Sequence, residues 1–144
     1  MQVQIAAQER NWAMAAHLSA LIAVAGLPFG HILGPLVVYL IKGHESEFVA
    51  EHARASLNYQ ITVSLFFIIA IIVALCIVFG VFVPMSVSSH SSTQAGLSFF
   101  AIWAALIICV LLVVLFSLIF IIMGTVAASA GRPYTYPFAI RFLR

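Results

Sequence analysis

From Ala55 to Gly131 the chain contains no Asp, Glu, Lys or Arg. Its charged side chains fall in three stretches: Glu9 and Arg10, then Lys42 to Arg54 with Glu45, Glu47 and Glu51, then Arg132, Arg141 and Arg144. A water-soluble domain has about a quarter of its residues charged. Here 7% are charged, 65% are hydrophobic and the mean hydropathy is +1.20. The segregation predicts an all-α, polytopic integral membrane protein whose charges mark what stays outside the lipid. At 144 residues it is read as a single transmembrane domain with the bilayer as its partner. No basic run with interleaved aromatics points to nucleic acid.

Four helical segments are expected. About 20 helical residues cross a ~30 Å hydrocarbon layer, so Leu57–Val83 and Leu97–Met123 each span with length to spare. Pro84 is expected to end the first, and Met85–Gly96, which includes His90, to form an uncharged polar turn. Near the N-terminus, Arg10, the apolar stretch Trp12–Ile22 and Ala23-Val24-Ala25 imitate a signal peptide, but the segment is read as a retained membrane helix. Pro28-Phe29-Gly30 and Gly34-Pro35 would break a single helix there, because an interior Pro costs about 3 kcal/mol. A short helical hairpin over 12–42 follows. Its tip, 28–35, either crosses the bilayer or is re-entrant. The remaining parts are an amphipathic lead-in plus span over 46–83, a span over 97–130 and an interfacial tail over 131–144. Cys76 and Cys109 lie inside apolar runs and read as small hydrophobes.

Lys and Arg near span ends stay cytoplasmic. A returning hairpin puts all six basic residues on one side, an N-in/C-in, multi-pass protein.

The polar residues that stand out are few. Gly43 suits a helix C-cap and Ser46 an N-cap, with Glu47 in the first turn. From there Glu47, Glu51, Arg54 and Asn58 share one helical face, and Phe48, His52, Ser56 and Tyr59 the adjacent one. One reading is a solvated helix with Glu47 and Glu51 balanced by Arg54. The sharper one is a polar cluster of His17, Glu51, His52, Asn58 and Gln60 inside the bundle, since polar groups in lipid need partners. A His17–His52–Glu51 metal site is sterically conceivable, but no H-E-x-x-H or CxxC spacing supports it. There is no G-x-S-x-G context, no Asp and no glycine-rich phosphate loop. No catalytic residue, metal or cofactor is therefore assigned. In the tail, Arg132, Tyr134, Tyr136, Arg141 and Arg144 read as interfacial anchors.

Several short motifs carry a resemblance. Trp12-Ala13-Met14, His17-Leu18-Ser19-Ala20, Pro28-Phe29-Gly30 and Gly34-Pro35 resemble the start of small bacterial membrane proteins of unknown function. Those are grouped with the twenty-kilodalton Tic subunit of chloroplast inner-envelope protein import. The likeness runs on through Ile41-Lys42, Glu45-Ser46, Phe48-Val49, Glu51-His52 and Leu57-Asn58-Tyr59-Gln60. It closes with Gly131-Arg132-Pro133-Tyr134-Thr135-Tyr136-Pro137 and Ile140-Arg141-Phe142. The resemblance implies a four-helix, multi-pass protein of a bacterial inner (plasma) membrane and no particular reaction.

The expected function is non-enzymatic: a scaffold, assembly or protein-translocation-related subunit that associates with other membrane proteins or with itself. Small residues such as Ala13, Ala16, Ala20, Gly26 and Gly34 would let helices approach. The alternative is a small transporter or channel for protons, metal ions or a small solute, carried by His17, Glu51, His52 and Asn58. A third reading, an intramembrane enzyme, would use Glu51 and His52 as an acid–base pair.

Overall fold

The computed structural model describes residues 5–88 and 92–144, and the regular structure among them is entirely helical. Helix α1 (Ala7–Leu18) runs into a 3-10 segment (Ser19–Ala25), and α2 (Gly30–Lys42) returns from the turn. Helix α3 (Glu47–Ile77) passes through a π-helical turn (Val78–Phe82) into the short α4 (Val83–Ser88), and α5 (Ser92–Ser129) completes the set. These make four helical stretches, two of which, Glu47–Gly80 and Gly96–Ser129, are long and apolar enough to cross a membrane.

Local chemistry sets the ends. Glu9 reaches back to accept the Ala6 N–H at 2.9 Å, satisfying a donor that α1 cannot use. The turn before α2 relies on left-handed backbone at Gly26 and Phe29. At α3, the Ser46 hydroxyl accepts the Val49 N–H at 3.4 Å and donates to Glu9 at 2.7 Å, so one cap also ties α3 to α1. Helix α5 ends in a Schellman turn: Gly131, at φ +65°, donates to Ala128 and Arg132 donates to Ala127.

Two expectations about breakers give way. Pro35 sits inside α2, fully buried, so the hairpin's second arm begins at Gly30 and is about 20 Å long at the standard rise. Pro84 likewise does not end its helix. The π-helical turn just before it, in which Val83 N–H bonds to the Val78 carbonyl, relaxes the i−4 crowding that a proline ring causes. The predicted turn Met85–Gly96 is therefore largely helical, with α4 reaching Ser88 and α5 starting at Ser92; residues 89–91, His90 among them, lie outside the described residues.

The chain divides into two compact units, Met1–Val63 with Ser117–Arg144, and Ser64–Phe116. The first holds the core. Ala16, Val38, Val49 and Ala53 pack together under Trp12, Ala15 and Tyr39. Most of the small residues pack within the chain. Ala13, Ala16 and Ala20 are buried, and a Cβ on Gly34 would collide with the Ser19 carbonyl. Gly26 instead serves the turn, with open space around it. In the second unit, Phe66, Ile68, Phe79, Phe100 and Leu111 all face outward, as do Cys76 and Cys109. An apolar surface this continuous suits contact with lipid.

Candidate functional site

Within the first unit the packing closes around polar groups. His17 (0% exposed) comes from α1, His52 (1%) from α3 and Tyr136 (4%) from the tail after α5. His17 Nδ1 lies 2.8 Å from the Tyr136 hydroxyl, and His17 Nε2 lies 2.8 Å from His52 Nδ1. His52 Nε2 lies 3.1 Å from the Arg132 carbonyl, which the Schellman turn presents to it.

The carbonyl only accepts, so His52 Nε2 carries a proton and donates. With both rings neutral, a single assignment satisfies the remaining bonds: His17 Nε2–H donates to His52 Nδ1, and the Tyr136 hydroxyl donates to His17 Nδ1. All four ring nitrogens are thereby engaged. A group that is buried and fully hydrogen-bonded costs little, whereas one left unpaired costs roughly 1–3 kcal/mol.

Aromatic rings frame this chain of bonds. Tyr59 stacks on Tyr136 at 4.4 Å between centroids, and Phe48 meets the His52 ring edge-on at 4.6 Å. Tyr59 is held in turn by Ser117, hydroxyl to hydroxyl at 2.9 Å. Gly124 on α5 makes room: a Cβ there would stand 2.9 Å from His17 Nδ1 and 3.1 Å from the Tyr134 ring. Burial pushes the Tyr136 phenol well above its ordinary value, opposed in part by the nearby Ser56 hydroxyl. Ser56 Oγ itself makes no hydrogen bond of normal geometry among the described residues, so its influence on the phenol is that of a neighbouring dipole.

A second set of bonds secures the rest of the tail. Asn58 donates through Nδ2 to the Leu143 carbonyl at 2.9 Å and accepts through Oδ1 from the Phe142 and Leu143 amides at 3.0 and 2.8 Å. One turn on, Thr62 Oγ1 accepts from the Ile140 amide at 2.9 Å while donating to the Asn58 carbonyl at 2.6 Å. A carboxamide matches a peptide's donor and acceptor together, which explains why an Asn serves here.

Of the five residues expected to cluster, the structure brings His17 and His52 into contact. Asn58 binds the tail on its own, and Gln60 is buried with its Nε2 unpartnered among the described residues. Glu51 is exposed, outside the hydrogen-bonded group, and Arg54 pairs with Glu47. Among the described residues no three His, Cys, Asp or Glu converge as metal ligands. The tail also departs from its expected role. Arg132, Arg141 and Arg144 are exposed and Tyr134 is half-buried, but Tyr136 is a core residue and no surface anchor. Sequence reasoning missed it because an aromatic beside arginines reads as a rim residue.

A model of the magnetosome magnetite crystal formation protein family (MamF/MmsF) matches residues 8–143. No curated protein and no solved structure shows a significant match, and nothing in the comparisons supports the likeness to the Tic subunit. Because the family match runs from Gln8 to Leu143, nearly end to end, the chain belongs to the magnetosome magnetite crystal formation protein family.

Proposed function

We propose that this chain is a non-enzymatic membrane scaffold that supports magnetite crystal formation, as its family description says of the family. The observation that carries this reading is the internal use of the polar core. All four ring nitrogens of His17 and His52, and both polar atoms of the Asn58 side chain, bond to this chain's own groups. Residues so engaged hold a shape and leave no open ligand position. The product of that rigidity is a fixed rim formed by the start of α3 and the tail, with Arg132, Arg141 and Arg144 on its surface. In an N-in/C-in arrangement that rim is cytoplasmic, and the outward apolar faces of Ser64–Phe116 meet lipid or neighbouring membrane proteins.

Transport by the same residues would require the histidines to open onto a cavity, and at 0% and 1% exposure they do not. A magnetite-forming host lacking the protein provides the test. Wild-type expression is expected to restore crystal size and number by electron microscopy, with partial restoration by N58A. Purified protein in vesicles is expected to leave proton and metal gradients intact. A flux abolished by H17A or H52A would contradict the scaffold reading.

A further inference from the structure

The start of α3 and the tail enclose an open cleft of about 800 Å³ within the first unit. Its lining includes Glu51, Arg54, Thr135, Arg141 and Arg144. With Arg54 balanced by Glu47, Arg141 and Arg144 against Glu51 leave the cleft with a positive excess. Arg54 is already paired with Glu47, but no acidic group among the described residues pairs with Arg141 or Arg144. Two exposed arginines without a carboxylate partner on one open cleft form an arrangement that an anion completes.

We propose that this cleft binds a phosphate group. Arginine forks match phosphate geometry in a way that a point charge does not, and basic pockets at the ends of membrane helices take lipid headgroups. Phosphate reaches such a cleft either as the headgroup of an anionic phospholipid or free in solution. The setting favours the lipid. Helix α3 carries no charge after Arg54, so the cleft sits where the chain passes from charged to apolar sequence. Ala139 and Leu143 add apolar wall, and Phe138, between lining residues Pro137 and Ala139, is 89% exposed.

The full chain in neutral detergent is to be challenged with phosphatidylglycerol, with phosphatidylcholine and with inorganic phosphate, and binding read by native mass spectrometry and calorimetry. Phosphatidylglycerol is expected to be retained in preference to phosphatidylcholine. The double variant R141Q/R144Q, which alters only exposed side chains, should weaken retention at least about tenfold, as expected for lost charged hydrogen bonds. R10Q/K42Q removes the same charge away from the cleft and should leave retention unchanged. Inorganic phosphate that binds as tightly as the lipid would support the site and assign it to the free anion. Equal loss in both double variants, or no binding of either phosphatidylglycerol or phosphate, would overturn it.

Discussion

His17 Nε2 and His52 Nδ1 stand 2.8 Å apart with their rings nearly perpendicular, at 84°, and so join α1 to α3 through one buried bond. Neither imidazole is satisfied without the other. Removing one partner strands a donor or acceptor, and truncation of His17 strands two: His52 Nδ1 and the Tyr136 hydroxyl.

H17A should therefore destabilise the fold by about 2–4 kcal/mol, at roughly 1–3 kcal/mol for each orphaned group less what relaxation recovers. Because the residues act as a unit, H52A should cost much less in an H17A background than alone, a coupling of order 1–2 kcal/mol. Denaturation in detergent measures it. Strict additivity of the two substitutions would argue against the shared bond.

Gly124 faces the same rings from α5, and an added methyl has nowhere to go. With the Cβ 2.9 Å from His17 Nδ1, G124A forces either the His17 ring or the Tyr134 ring to move. The expected cost is about 1–3 kcal/mol, the usual penalty for overpacking a tight contact. Thermal melts would register it, and a neutral G124A would contradict the packing described. Glycine at position 80, with open space around it, supplies the control.

Acid should loosen α1 from α3. Hydrogen bonds from Ser46 and from the Ala6 amide hold the Glu9 carboxyl below its usual 4.5. A depressed carboxyl stabilises the fold above its ordinary value and loses that contribution as pH falls through the lowered one. Titration followed by carbon NMR of Glu9 should give a midpoint below 4.5 in wild type, moving back toward it in S46A. An unchanged midpoint in S46A would exclude the cap.

Cys76 and Cys109 face outward from apolar helices. In intact membranes both should resist a charged, water-soluble maleimide and react with a membrane-permeant one. Rapid labelling by the charged reagent would remove these helices from the bilayer.

The membrane architecture was legible in the chain because lipid forbids charge, and ten charged residues could only mark its edges. The polar residues worth attention were legible for the same reason: His17, His52, Asn58 and Gln60 stand where polar groups need partners. Their partners were not. Tyr136 lies 119 residues from His17, and Leu143 lies 85 from Asn58, distances at which periodicity carries no information. The helix boundaries at Pro35 and Pro84 were misread because proline's penalty is local, while burial and a π-helical turn override it. The family also lay beyond the residues themselves, since its match comes from comparison and not from any motif chemistry.

Buried polar side chains clamp the tail, and amide hydrogen exchange reads that clamp directly. Ile140, Phe142 and Leu143 amides donate to Thr62 and Asn58. In the membrane-embedded wild type they should exchange far more slowly than an unstructured peptide. In N58A the Phe142 and Leu143 amides should lose protection, and in H17A, where Tyr136 is released, all three should. Exchange at the unstructured rate in wild type, or protection untouched by both substitutions, would contradict the clamp and the scaffold built on it.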